Sequence, residues 1–211
     1  DYKADYFKIK NGSYNVIQGG SSLLDGGIDV FALVGIGNAS DNFLYGDEGI
    51  DLFVVDSDGS NTIVGGSGDD IYNIGWVSGK MSEVLGSQKM ELVIDQAGAA
   101  STDKDSLTIR NVDYGFVDSS IGSLTMSDFS TMKDIDGNYI IEDKYGAKVV
   151  IKNNANKSIS KIIFEGFDSG NVEIGIEEIT SAINSIVVAG STGETIEGRQ
   201  GDDEIVLSGS Y

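Results

Sequence analysis

Residues 65–73 read Gly65-Gly66-Ser67-Gly68-Asp69-Asp70-Ile71-Tyr72-Asn73, and every position fits the nonapeptide G-G-x-G-x-D-x-U-x, where U is bulky and apolar. No other stretch constrains the fold as strongly, because this pattern specifies both halves of a structural unit. Its first six residues form a glycine-rich turn whose carbonyls and Asp face a cation, and its last three form a short strand. A hard cation takes about six to eight oxygen ligands, so a carboxylate at the sixth position beside exposed carbonyls suits Ca²⁺.

The neighbouring residues keep the period loosely. Nine residues upstream, Gly59, Asn61 and Ile63 fall at the fourth, sixth and eighth positions. One further step, a residue longer, gives Gly46, Gly49, Asp51 and Phe53. Gly37, Asn42 and Leu44 precede these, and Gly27, Asp29 and Phe31 come before them across a longer insertion. The period returns near the C-terminus at Gly198, Gly201, Asp203 and Ile205, with Ile196 and Val187 nine and eighteen residues upstream of Ile205. Glycine- and aspartate-rich turns in an ordinary antiparallel domain are the alternative, but they do not demand that Gly, Asp and apolar positions recur together at two separate places.

On these repeats the chain resembles the RTX family, secreted proteins with hemolysin-type calcium-binding repeats. The likeness extends between the two blocks. Asp105-Ser106-Leu107, then Gly137-Asn138-Tyr139-Ile140-Ile141, Val149-Val150-Ile151-Lys152-Asn153 and Ile162-Ile163-Phe164 resemble the D-[TS]-L, G-x-x-L-x-I, V-x-I-x-N and I-x-F-x-x-G segments that separate repeat blocks in that family. The resemblance implies an all-β fold: a parallel β-roll or β-solenoid of repeats, a β-rich intervening segment, one short helix, and a second, partial repeat block.

Along the chain, residues 1–76 read as a lead-in strand and the first repeat block. Short apolar runs such as Phe43-Leu44, Phe53-Val54, Ile63-Val64 and Ile71-Tyr72 are too brief for helices. Residues 77–173 carry less glycine and longer strands at 91–95, 107–110, 139–142, 148–152 and 161–165, with 131–152 reading as antiparallel hairpins. Ile176, Ile179, Ile183 and Ile186 share one helical face, which predicts a short helix and linker over 174–188. Residues 189–211 begin the second block. Asp134-Ile135-Asp136-Gly137 fits an EF-hand loop only in part: Met132 would occupy the first ligand position, and the flanks read as strands, so a plain turn is expected.

Composition removes several function classes. The 211 residues hold 34 acidic and 14 basic side chains, a net charge of −20, which excludes a nucleic-acid or anionic-membrane binder. There is no Cys, hence no disulfide, thiolate metal site or cysteine nucleophile, and no His, hence no imidazole acid–base chemistry. No enzyme activity is expected of this segment. Pro is absent where ordinary usage supplies about ten in this length. Its absence suits a stack of hydrogen-bonded strands. No run of about 18 apolar residues occurs to span a membrane, and the N-terminal residues lack the parts of a signal peptide. With its last turn cut short at Tyr211, the sequence reads as a piece of a larger protein.

In a roll of this kind successive turns fall on alternate edges, and each ion lies between one turn and the next but one. This places Asp29, Asp51 and Asp70 on one edge, with Asn42, Asn61 and the adjacent Asp41 on the other. An amide oxygen coordinates calcium but brings no charge, so firm binding is expected at the Asp51/Asp70 edge and weak or absent binding at the Asn61 edge. The candidate ligands are Asp29, Gly46, Glu48, Gly49, Asp51, Gly65, Ser67, Gly68, Asp69 and Asp70, with Gly59, Asn61 and Asp41 on the amide edge and Asp203 in the C-terminal block. On the order of one to four ions is expected from the number of adjacent turns that keep an acid.

The resemblance implies a calcium-binding module that folds when calcium is present, belonging to a secreted bacterial protein with a toxin-type parent. The partners implied are calcium ions and a type I secretion machine, and the location is extracellular or on the cell surface. Two alternatives stay open: a calcium-rigidified segment of a surface-layer protein or adhesin, which would self-associate, and an accessory module of a secreted enzyme.

Overall fold

The nine-residue spacing appears directly as strand pairing: each strand of the repeat region bonds in parallel to the strand two before it. The structure is a computed structural model that describes residues 4–10, 15–18, 28–35, 41–112, 124–134, 136–152, 158–167, 170–176, 184–189 and 204–207. Its strands are β1 (Ala4–Lys10), β2 (Asn15–Gln18), β3 (Ile28–Gly35), β4 (Asn42–Glu48), β5 (Leu52–Ser57), β6 (Ser60–Ser67), β7 (Ile71–Gly75), β8 (Glu91–Asp95), β9 (Ser106–Arg110), β10 (Phe129–Lys133), β11 (Tyr139–Asp143), β12 (Lys148–Ile151), β13 (Lys161–Phe167), β14 (Gly170–Gly175), β15 (Asn184–Ala189) and β16 (Glu204–Leu207). They form two sheets, one ordered β1-β3-β5-β7-β9-β13-β14 and the other β16-β15-β10-β11-β12-β8-β6-β4-β2. The fold is therefore all-β, and up to β9 the chain alternates between the sheets.

Period-2 burial lines the interior of both sheets. Phe31, Phe53, Tyr72, Leu107 and Ile162 share one row of register across the first sheet, and Leu44, Ile63, Ile94 and Ile151 share another across the second. All nine are fully buried. Burying such a side chain contributes roughly 1.5–3 kcal/mol, so in-register apolar rows drive the stacking of turns as well as the closure of the core. Phe31 and Phe53 stack at 4.7 Å, and Phe53 and Tyr72 at 5.4 Å, each pair 10° from parallel.

The change of sequence pattern after residue 76 is not a break in the sheets. β8 and β9 pair directly with β6 and β7, and β12 and β13 continue the same rows. The expected hairpins over 131–152 are present as antiparallel β10-β11-β12. Asp134 accepts from the N–H groups of Asp136 and Asn138, which makes the β10–β11 link a turn between strands rather than an EF-hand loop.

The helix differs from expectation. Among the described residues the α-helix is α1 (Gly79–Leu85), capped by Ser78, whose hydroxyl accepts from Lys80 N–H, and ended by Gly86 in the left-handed region. Of the predicted 174–188 helix, the described portions include the end of β14 and all but the last residue of β15, and β15 pairs in parallel with β10. Ile186 thus follows a strand period, because pairing with a distant strand overrides local spacing. Residues 177–183 lie outside the described residues. In the C-terminal block, Val187 pairs with Ile205 across β15 and β16, the same eighteen-residue offset that separates a turn from the next but one.

Candidate metal centre

Two six-residue turns, 46–51 and 65–70, lie one above the other where the chain crosses from the second sheet to the first. Gly49 N–H donates to the Ser67 carbonyl and Ile71 N–H to the Asp51 carbonyl, each at 2.8 Å. The acidic residues at the sixth position add a second ladder. Asp29 N–H donates to Asp51 Oδ1 (3.1 Å), Asp51 N–H to Asp70 Oδ1 (2.9 Å), and Asp70 N–H to Asp105 Oδ1 (2.9 Å). Each carboxylate reaches back to the backbone of the preceding turn, and all four acids are buried.

The other oxygens of this ladder differ from step to step. Asp105 Oδ2 accepts from the Ser158 hydroxyl, and Gln96 Oε1 accepts from Ser158 N–H and Ile159 N–H, which closes the ladder. Asp51 Oδ2 and Asp70 Oδ2 are buried with no hydrogen-bond partner, and so is the Tyr72 hydroxyl. Asp51 Oδ2 lies against Gly46: a Cβ there would sit 2.1 Å from it and 2.4 Å from the Gly65 carbonyl oxygen. Asp70 Oδ2 lies against Gly65, where a Cβ would sit 2.0 Å from it and 2.2 Å from the Tyr72 hydroxyl. Each bare carboxylate oxygen thus occupies a pocket that exists because its turn begins with glycine.

Burial without a counter-charge disfavours the ionised form. It pushes Asp51 up to about 7, with the Asp29 N–H opposing and the charges of Asp29 and Asp47 adding. It pushes Asp70 up to about 8, with the Asp51 N–H opposing and Asp105, Asp51 and Asp103 adding. Asp105 is also raised by burial, against its hydrogen bonds from Ser158 and the Asp70 N–H. Burial, joined by the charges of Asp105, Asp70 and Asp51 and opposed by the Gly65 N–H, holds the Tyr72 phenol well above its ordinary value, so the hydroxyl keeps its proton. Among the described ion pairs, none brings a lysine or arginine to Asp51, Asp70 or Asp105.

The opposite edge is built differently. Asn42 Nδ2 donates to Asn61 Oδ1 at 2.8 Å, and Asn61 Nδ2 donates to the Asp58 carbonyl at 3.2 Å. The Gly59 carbonyl accepts Glu91 N–H. Both functional ends of the Asn61 amide are therefore engaged within the protein.

Of the other residues singled out in the sequence, Ser67 and Gly49 form a backbone rung of the stack, and Gly68 N–H donates to Asp103 Oδ2. Asp69 is exposed and accepts Lys104 N–H, while Glu48 and Asp41 are exposed. Asp203 lies outside the described residues, as do Gly27, Gly37, Gly198 and Gly201. Sequence spacing missed three members of the site. Asp105 follows Asp70 by 35 residues, beyond any nine-residue count, and Ser158 lies farther still. Tyr72 registers in the repeat only as a bulky apolar position. Among the described residues no three His, Cys, Asp or Glu side chains converge as a preformed cage, so any cation here must draw much of its shell from backbone oxygens. Comparison with protein-family models, curated proteins and solved structures finds no match.

Proposed function

We propose that this chain is a calcium-binding module of the RTX type, whose paired sheets form a parallel β-roll that folds when calcium binds. The observation that carries the reading is the pair of buried, unpartnered carboxylate oxygens, Asp51 Oδ2 and Asp70 Oδ2, set in glycine-lined pockets of two stacked turns. An ionised carboxylate in such a place costs folding free energy unless a cation completes it. Calcium fits the donor set: hard oxygen donors, two of them carboxylates, with carbonyls such as that of Gly65 at hand.

Bound calcium supplies the positive charge and the ligand field that satisfy these oxygens. The chain's own residues do the rest. Asp51 and Asp70 tie turn to turn through Oδ1, and Gly46 and Gly65 admit the close approach of oxygens to the backbone. The apolar rows then stack in register. In calcium-poor surroundings the acidic turns repel at a net charge of −20 and the buried carboxylates oppose compaction. In millimolar calcium, binding free energy becomes folding free energy.

This behaviour suits a protein exported unfolded by a type I machine and folded outside the cell, in a secreted bacterial parent of toxin type whose activity resides elsewhere. No helix among the described residues is long and apolar enough to cross a membrane. Circular dichroism tests the reading: chelator should give a largely unfolded spectrum and millimolar calcium a β spectrum. Magnesium should substitute poorly, because it resists an irregular carbonyl-rich shell. Identical spectra in chelator and calcium would overturn it.

A further inference from the structure

The two glycine pockets are built alike except in one atom. At Gly46, the oxygens nearest a Cβ position are Asp51 Oδ2, from its own turn, and the Gly65 carbonyl, from the turn stacked beyond it. At Gly65 they are Asp70 Oδ2, from its own turn, and the hydroxyl of Tyr72. The turn beyond, 98–105, is not glycine-repeat sequence, and the first glycine position of the pattern is Ala100. Where the stack of repeats ends, a phenolic oxygen stands in the place that a carbonyl fills one step earlier.

Tyr72 is positioned for this by the aromatic row. Phe53, its counterpart one step earlier, stacks on it at 5.4 Å and carries no oxygen, while its own pocket has the Gly65 carbonyl. The Tyr72 side chain is fully buried; the Gly65 N–H lies near its hydroxyl but not at hydrogen-bonding geometry, and Asp70 Oδ2, against the same glycine, does not bond to it. A buried hydroxyl left without a partner opposes folding. Two such oxygens against one glycine form a place where a single cation would satisfy both.

The geometry points to Tyr72 as a cation ligand: its hydroxyl oxygen joins Asp70 Oδ2 in holding the last ion of the stack, in the position relative to Gly65 that the Gly65 carbonyl takes relative to Gly46. This inference rests on the calcium reading above and adds to it a ligand that the repeat pattern does not contain.

Tyr72→Phe in the full 211-residue chain tests it, because the change keeps the ring and deletes only the oxygen. The readout is the calcium midpoint for folding, followed by circular dichroism. If Tyr72 is merely a core residue, deleting an unsatisfied hydroxyl favours folding, and the midpoint falls or stays. If it is a ligand, the midpoint rises, by about three- to tenfold for a loss of roughly 0.7–1.4 kcal/mol. An unchanged or lower midpoint overturns the assignment while leaving the calcium reading standing. An unmutated chain whose spectrum ignores calcium overturns both. A calcium-loaded structure of the unmutated chain decides without any substitution: the Tyr72 oxygen within about 2.6 Å of the ion supports the assignment, and an ion bound without it refutes the assignment.

Discussion

The backbone N–H of Asp51 donates to Oδ1 of Asp70 at 2.9 Å across two stacked turns, while Oδ2 of the same carboxylate is buried with no hydrogen-bond partner. One oxygen ties the turns together and the other is left bare. The same division recurs one step earlier, where Asp51 Oδ1 takes the Asp29 N–H. Stacking of turns and an unsatisfied buried oxygen are thus carried by the two oxygens of one group.

This division gives the metal-free fold a pH dependence of definite sign. Burial raises Asp51 to about 7 and Asp70 to about 8, whereas an unfolded carboxylate titrates near 4. Below about pH 4 both states hold their protons, and burial carries no charge penalty. As pH rises from about 4 to about 8 the unfolded chain releases protons that the fold retains, so the fold loses stability across that window. In chelator, the folded fraction seen by circular dichroism should be largest at low pH and fall as pH is raised through this range, and saturating calcium should flatten the profile. A chelated folded fraction that rises with pH would contradict the burial of these acids.

Asp70 should matter to calcium in a way that Asn61 does not. Asp70→Ala removes a bare oxygen and the rung to Asp51 together, so both the calcium stoichiometry and the calcium sensitivity of folding should drop. Asn61→Ala breaks an amide pair with Asn42 and should cost about 1–3 kcal/mol through the buried group left behind. It should leave the stoichiometry intact. Isothermal titration calorimetry separates the two. Loss of an ion from Asn61→Ala, or none from Asp70→Ala, would mean that the cation edge is wrongly chosen.

Much of this arrangement is legible in the sequence, for a physical reason. A nine-residue unit holding one turn and one strand puts residues eighteen or nineteen apart in register, so counting alone aligns Phe53 with Tyr72 and Asp51 with Asp70. Counting fails where the chain leaves the repeat. The 35-residue step from Asp70 to Asp105 passes through β7, α1 and β8, and nothing in the spacing of Asp105-Ser106-Leu107 marks the acid as the next rung. The start and stop of α1 are ordinary signals, Ser78 before it and Gly86 after it, yet it lies in a segment whose β-rich neighbours dominate the pattern. Ile186 shows the opposite failure: its spacing fits a helix face, but β10 offers it a strand partner that only the folded chain supplies.

Gly68 tests the stacking itself. Its φ is +122°, and a Cβ there would lie 1.9 Å from the Gly49 carbonyl oxygen, a backbone atom that cannot rotate away. Gly68→Ala must therefore shift one turn off the other, breaking the rung from Gly49 N–H to Ser67 O. We expect a loss on the order of 3 kcal/mol or more and a large rise in the calcium needed for folding. A β spectrum at the unmutated calcium midpoint would show that these turns do not stack in this register.

Asp143 should behave in the contrary way, affecting stability without affecting calcium binding. Its carboxylate is buried and fully engaged: Oδ1 accepts Tyr145 N–H (2.8 Å) and Ala147 N–H (3.0 Å), and Oδ2 accepts Trp76 Nε1 and Gly79 N–H, both at 3.0 Å. It joins the β11–β12 turn to the start of α1 and orients the indole that packs edge-on to Phe129 at 4.8 Å. Asp143→Ala strands four donors, and with an unsatisfied buried donor costing about 1–3 kcal/mol, a total on the order of 3–5 kcal/mol is expected after local relaxation. Because no oxygen of Asp143 is bare, the number of ions bound should not change, whereas Trp76 fluorescence should shift to the red as its N–H seeks water. A drop in calcium stoichiometry for Asp143→Ala, with the Trp76 emission unmoved, would place this carboxylate among the cation ligands and remove it from the scaffold.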